Sequence, residues 1–238
     1  MSGLADPADT ARAAAAAAAA ELVEPGMTIG LGSGRAVWKL VELLGRRLTK
    51  GGDLATGGLR AATASSRTDA LASSLGIEVV ELDGTVELDL ALDGADEIDP
   101  QLRLIKGGGG ALLREKIVIS AARRFVVVAE TPKKVERLGE HFRLPVEVVR
   151  FAWRDTRRRL SGALPDCVQR SGADGEAYLT DEGHLILDCA LPAEVDLDGL
   201  GPRLKQIPGV VEHGLFIGLA ERALLGRPDG GVESIEPH

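Results

Sequence analysis

The chain is poor in aromatic residues, which make up 3% of its 238 residues, and it has only two cysteines, Cys167 and Cys189. So few rings exclude a base-stacking or carbohydrate-stacking platform and leave recognition to backbone amides and charges. The cysteines make no CxxC pair and no disulfide framework, which predicts a reducing compartment and two packing spectators. Basic residues are outnumbered, 28 Lys and Arg against 36 Asp and Glu for a net charge of −8, so no broad nucleic-acid-binding face is expected. The exception, RDTRRR from Arg154 to Arg159, reads as a solvated helix face, with a subunit contact as the alternative. No window reaches the ~18 continuous apolar residues of a membrane-spanning helix. The N-terminal stretch lacks the basic leader and leucine-rich run of an export signal. Together these absences predict a cytoplasmic protein with no membrane or nucleic-acid partner and a small, polar ligand.

What is present is a hydrophobic content of 45%, ample for a core. A helix capped by Asp9 or Thr10 is expected to run through Ala13 to Ala20 and end before Glu24-Pro25-Gly26. Then MTIGL reads as a buried strand, VWKLVELLGRRL as a helix, LRAATA as a strand and SSRTDALASSLG as a capped helix. IEVVEL and ELDLALD supply further strands, ALLREKIVISAAR a helix, RFVVVAE a strand, and a short helix follows Thr131-Pro132. Alternating strands and helices imply an α/β fold with a mostly parallel sheet over the first ~140 residues. After LPVEVV the texture becomes that of a compact α+β insert, and the tail, HGLFIGLAERALLG with PDGGVESI, resembles short strands able to return to the first sheet.

Three loops carry chemistry. GLGSGRA follows a strand and opens a helix, the setting in which N-terminal amides hold an anion. The last glycine of a dinucleotide fingerprint would fall on Arg35, so a pyrophosphate is not expected there. A tight turn without a ligand is the alternative. Arg35 at the helix start opposes the macrodipole, a cost that an anion would offset. In SSRTDA, the hydroxyls of Ser65, Ser66 and Thr68 read first as helix caps and second as ligand contacts.

The third loop, DGADEIDPQLRLIKGGGGALLREK from Asp93 to Lys116, is the most informative. Asp93 and Asp96 bracket Gly94-Ala95 at the end of an apolar strand, where ligand-contacting side chains gather in parallel sheets. Calcium is the rival reading, but the later ligands of an EF-hand are missing from the spacing. Lys106 precedes Gly107, Gly108, Gly109 and Gly110, and Glu115 follows in a helix between Arg114 and Lys116. A surface helix of alternating charge is the bland reading. A carboxylate beside a lysine and a run of amides also suits removal of a proton next to a carbonyl, with the enediolate stabilised as it forms.

On DGADEID, KGGGGALLREK, GLGSG, SSRT, PVEV and the late GLF, the chain resembles the type A ribose-5-phosphate isomerases along nearly its whole length. The resemblance implies a Rossmann-like catalytic domain over 1–141 plus 212–238, an inserted α+β domain over 142–211, a homodimer or homotetramer, and neither cofactor nor metal. It makes Glu115 the base that moves a proton between C1 and C2, with Asp93 assisting ring opening and proton movement among the sugar oxygens. Asp96 with Gly94 and Ala95 would bind substrate hydroxyls, and Lys106 with Gly107, Gly108 and Gly109 would support the charged intermediate. Lys133 would bind substrate, and Ser33, Gly34, Arg35, Ala36 and Arg12 the phosphate.

This chain departs from the family in two places. Where the family commonly has GTGST, Arg35-Ala36 replaces two hydroxyl side chains, and bidentate contacts from Arg35 are the expected compensation. AETPK stands where the family tends to have ADxSK. Two other readings compete. A sugar-phosphate sensor would need a DNA-binding segment, which an alanine helix is not. Another enzyme of the same fold is the second: an amino-sugar-phosphate deaminase would want a catalytic histidine, but His141, His184, His213 and His238 all lie outside these loops, and a coenzyme A transferase would make a thioester on Glu115.

Overall fold

The computed structural model describes residues 6–49 and 51–237, so His238 and the extreme start of the expected catalytic domain lie outside it. In chain order the elements are α1 (Pro7–Ala20), β1 (Thr28–Leu31), α2 (Arg35–Leu48), β2 (Arg60–Thr63), α3 (Ser66–Ser74), β3 (Glu78–Val79) and β4 (Leu90–Asp93). Then come β5 (Glu97–Ile98), β6 (Leu104–Ile105), α4 (Leu112–Ser120), β7 (Phe125–Glu130), β8 (Leu144–Val148), α5 (Trp153–Leu160), β9 (Cys167–Gln169) and β10 (Leu185–Cys189). The chain closes with α6 (Leu197–Lys205), β11 (Val210–His213), β12 (Leu215–Phe216), β13 (Arg222–Gly226) and β14 (Val232–Ile235). Among the described residues no helix is long and apolar enough to cross a membrane.

Two compact units emerge, one from Met1–Ala95, Arg114–Lys134 and Leu219–His238, the other from Asp96–Leu113 and Val135–Gly218. The first is built on a seven-stranded sheet in the order β14-β13-β7-β4-β1-β2-β3, parallel throughout except for the antiparallel pair β13 and β14. The tail therefore does return to the first sheet, through β13 and β14. From β1 the chain moves to β2 on one side and then returns to β4 on the other, so β1 and β4 flank the topological switch, where open α/β sheets open a crevice at the carboxyl ends of their strands. The register sets Leu31 beside Leu92, so the loop after β1 starts level with Asp93.

Fully buried Val37, Leu40, Val41 and Leu44 form one face of α2, at helical spacing, and each contributes about 1.5–3 kcal/mol by leaving water. Along α1, Ala15, Ala16 and Ala19 are fully buried. Small side chains let this helix lie close to the sheet, and a Cβ on Gly226 of β13 would overlap the Ala11 carbonyl. The cap of α1 is Asp6 rather than the expected Asp9 or Thr10. Its carboxylate accepts from Ala8 N at 3.0 Å, and Pro7, with no N–H to satisfy, starts the helix one turn earlier.

The second unit holds a four-stranded antiparallel sheet, β11-β8-β10-β9, and a three-stranded one, β12-β6-β5. Leu144, Val146 and Val148 of β8 join Leu187 and helix residues Leu160, Leu200 and Leu204 in its own core. The expected insert, 142–211, falls inside this unit, which also takes in Asp96–Leu113, 135–141 and 212–218. The basic run lies on α5 with Arg157, Arg158 and Arg159 exposed and Asp155 paired to the last two, a solvated helix face. The cysteine reading needs correction. Cys167 and Cys189 sit opposite each other on antiparallel β9 and β10 and form a disulfide, S–S 2.13 Å. Their 22-residue separation gave no spacing signal, because strand register rather than sequence distance brought them together.

Candidate active site

In the first unit the site is organised by the turn after β1. Gly32 has no room for a side chain, since a Cβ there would overlap the Asp93 carboxyl. That close approach lets the carboxylate cap the turn: Asp93 Oδ1 accepts from Ser33 N at 3.1 Å and from Gly94 N at 2.7 Å, with the residue 1% exposed. Gly30 is needed for a different reason, because a Cβ would come within 2.6 Å of Val118 Cγ1 on α4. Close packing of α4 on β1 brings Glu115, one turn into that helix, over the loop. Ser33 Oγ then donates to Glu115 Oε1 at 2.6 Å. One serine thus touches two of the three carboxylates that sequence reasoning singled out, through its amide to Asp93 and its hydroxyl to Glu115. Glu115 is 4% exposed, so the base candidate is shielded from bulk water.

Gly34 has φ +99°, a region that L side chains rarely adopt, and it turns the chain into α2 without a side-chain cap. Arg35 is the first residue of that helix and is exposed, with Ala36 buried behind it. The loop is braced from outside by SSRT. Ser65 Oγ accepts from Thr68 N at 3.2 Å and caps α3, while fully buried Thr68 donates its hydroxyl to Gly32 O at 2.9 Å and accepts from Trp38 Nε1 at 3.2 Å. Arg67 lies over the Trp38 ring at 3.5 Å. Capping was the expected role of these hydroxyls, but the hold on Gly32 is a nonlocal contact that a cap pattern does not reveal.

Arg12 is 8% exposed and engaged by two carboxylates, Glu130 Oε1 at 2.5 Å from Nε and Asp9 Oδ1 at 2.9 Å from Nη1. The Arg12 guanidinium holds the Asp9 carboxyl below the usual carboxylate range, aided by Lys39. Arg12, Glu130 and Lys133 line a cavity of about 460 Å³ with Asp6, Ala11 and Pro228. Lys133 ends a 3₁₀ turn over Thr131–Lys133, and Pro132 at the start of that turn fits the AETPK sequence.

In the second unit Asp96 Oδ2 accepts from Gly108 N at 2.7 Å. Gly108 tolerates no Cβ, which would meet Asp96 Oδ1 at 2.6 Å and Phe142 Cζ at 2.9 Å. Gly107 and Gly110 have φ +103° and +86°, and Gly110 N closes a turn on Gly107 O at 3.0 Å. Lys106 is 2% exposed, with its ammonium 5.3 Å from the Phe216 ring centroid. The other acids of DGADEID are structural. Glu97 accepts from the amides of Gly139, His141 and Phe142 at 2.6, 2.6 and 2.8 Å, and Asp99 accepts from Gln101 N, Arg103 N and Arg103 Nε. A buried acid holding backbone amides looks, in sequence, the same as one awaiting a ligand.

Comparison with known proteins identifies the family. Residues 60–230 match the family described as ribose 5-phosphate isomerase A (phosphoriboisomerase A). The ribose-5-phosphate isomerase A of Roseiflexus castenholzii is 49% identical over 213 residues, 90% of each chain. Among solved structures, ribose 5-phosphate isomerase A from Methanocaldococcus jannaschii shares 36% identity at a TM-score of 0.86, covering 94% of this chain and 97% of that one. A D-ribose-5-phosphate isomerase in complex with phospho-erythronic acid shares 33% identity at a TM-score of 0.87, with the same coverage. A Rossmann-like sheet with Asp93 at its switch point, and agreement in sequence over nine tenths of a curated relative, lead to one conclusion: the chain belongs to the ribose 5-phosphate isomerase A family.

Proposed function

We propose that this protein interconverts ribose 5-phosphate and ribulose 5-phosphate with Glu115 as the base. The observation that carries this is the pair of buried carboxylates, Asp93 and Glu115, held by one serine at the sheet's switch point. With ribose opened to its aldehyde, Glu115 takes the proton from C2. The C–H electron pair becomes the C1–C2 double bond, and the carbonyl electrons move to O1. A proton passes from O2 to O1, assisted by Asp93, and Glu115 returns its proton to C1 to leave the C2 ketone. No electron leaves the sugar, so no redox partner enters the balance. Lys106 and the amides of Gly107, Gly108 and Gly109 support the enediolate, and Asp96, Gly94 and Ala95 hold hydroxyls. General base catalysis supplies about 10²–10⁴-fold, and each placed oxyanion donor about 3 kcal/mol.

Phosphate is assigned to the loop from Ser33 to Ala36 at the start of α2, through the amides of Gly34 to Ala36 since Ser33 N donates to Asp93, with Arg35 as the cation, and Arg12 and Lys133 complete the substrate contacts. The α2 N-terminus supports this through first-turn amides that have no side-chain cap and through its dipole. We carry the division into a catalytic part, 1–141 with 212–238, and an insert, 142–211, in the same proposal. A phosphorylated sugar is a dianion that does not diffuse across membranes, which favours the cytoplasm. The homodimer implied by the family resemblance predicts light scattering at twice the 24.9 kDa chain mass; a monomer at assay concentration rejects it.

The activity is tested with EDTA-treated protein on ribose 5-phosphate beside Glu115→Gln. Turnover lost by at least ~10²-fold in a folded variant that still binds sugar phosphate is expected; near-normal turnover refutes Glu115 as the base.

A further inference from the structure

Arg170 and Tyr178 stand just beyond β9, on the hairpin that continues through the Ser171–Ala177 bridge, and no role has been assigned to either. The Tyr178 amide donates to Arg170 O at 3.0 Å, which keeps the two side by side. The guanidinium is fixed first by Asp188 of β10, in a two-point pair with Nε to Oδ2 at 2.9 Å and Nη2 to Oδ1 at 2.5 Å. That pairing leaves Nη1 aimed at the glycine run, where it donates to Gly107 O at 2.8 Å and to Gly108 O at 3.1 Å. Tyr178 OH donates to the next carbonyl, Gly109 O, at 3.1 Å. Three successive carbonyls are therefore held by two side chains.

Every peptide here is trans, so the N–H of each following residue points opposite to the carbonyl that is held. Pinning Gly107 O and Gly108 O turns the amides of Gly108 and Gly109 away from the guanidinium. The first of these is seen doing so, since Gly108 N donates to Asp96 Oδ2 at 2.7 Å. Glycine has no preferred conformation of its own, and four in a row would sample many. We infer that Arg170, oriented by Asp188 and assisted by Tyr178, is the positioning residue that sets the donor direction of the Gly108 and Gly109 amides, and through it the stabilisation of the enediolate. Burial pushes the Tyr178 phenol up, with Arg170 pulling the other way, so it remains a donor at neutral pH.

The inference rests on the isomerase reading, and the test separates the two. Tyr178→Phe removes one oxygen from a half-buried ring, and Arg170→Lys keeps the charge but loses the fork. Each is assayed for kcat and KM with ribose 5-phosphate, and for affinity for phospho-erythronic acid, whose planar carboxylate stands in for the enediolate oxygens. Circular dichroism checks the fold. Tyr178→Phe is expected to lower kcat and analogue affinity together by about 3- to 10-fold, the range of one neutral hydrogen bond, and Arg170→Lys by about 10- to 100-fold. KM should move less than about twofold, because the amides act on the intermediate rather than on the sugar at large. In protein labelled with ¹⁵N-glycine, the Gly108 and Gly109 amide signals should shift in both variants.

Unchanged kcat, analogue affinity and glycine signals in folded variants overturn the inference, and so does an equal rise in KM and analogue dissociation constant. If the wild-type protein binds phospho-erythronic acid and the variants lose it, but the wild type turns over no ribose 5-phosphate, the isomerase reading falls and the positioning role stands. If the wild type does neither, both fall.

Discussion

Ser33 does two jobs with two different groups, and a single substitution separates them. Its amide reaches Asp93 and survives any side-chain change, whereas its hydroxyl alone reaches Glu115. In Ser33→Ala the Asp93 turn should persist while Glu115 loses a donor that orients its carboxylate. A hydrogen bond to a charged group is worth about 1.5–3 kcal/mol, so kcat is expected to fall by about 10- to 100-fold. KM should hold, and Ser33→Thr, which restores a hydroxyl at the same carbon, should recover most of the rate. The competing view is that the hydroxyl serves the phosphate, as the family's loop suggests. In that case Ser33→Ala would raise KM with kcat intact, and steady-state kinetics on the three proteins would reject the orienting role. Arg35 is the matching contrast: it is exposed at the start of α2, and the proposal gives it the phosphate rather than either carboxylate.

At the scale of elements, what sequence could read was whatever is local. MTIGL, LRAATA and RFVVVAE became β1, β2 and β7, and GLGSGRA fell at the strand-to-helix junction its glycines announced. Alternating pattern with short loops gave the parallel sheet, and the apolar run before Asp93 placed that carboxylate at a strand end. Contacts between distant segments were not legible. The Ser33–Glu115 bond joins a loop to a helix that pattern alone cannot dock together, and it depends on Gly30 admitting Val118. Glu97 was one acid among four in DGADEID until its three amide partners appeared. Cys167 and Cys189 failed for the same reason, since a cross-strand disulfide needs the β9–β10 register before it can be inferred. Arg170 lies in a segment with no motif at all, and only its contacts to Gly107 and Gly108 carbonyls give it meaning.

For the molecule as a whole, charge sets how stability responds to acid. Five surface aspartates are held below their ordinary value of 3.8: Asp9 by Arg12, Asp53 by Arg47, Asp83 by the Thr85 hydroxyl, Asp155 by Arg158 and Asp229 by the Gly231 amide. A carboxyl depressed in the folded chain binds its proton later than in the unfolded chain. Its contribution is therefore complete above 3.8 and is lost as pH falls through the lower folded values. Protonation also relieves the net charge of −8, which acts in the opposite direction, but that repulsion is spread over the surface and screened beyond about 8–10 Å at physiological salt. The paired groups should dominate. The urea midpoint is expected to stay level from neutral pH to about 5 and to drop below 3.8. Salt at about 1 M shrinks the screening length to roughly 3 Å and should flatten the share owed to Asp9, Asp53 and Asp155, whose leading partners are guanidinium groups. Asp83 and Asp229 answer to a hydroxyl and an amide, so a residual acid dependence should survive in high salt. A midpoint that falls steadily between pH 7 and 5, or an acid dependence abolished by salt, would show that other groups control the acid limb.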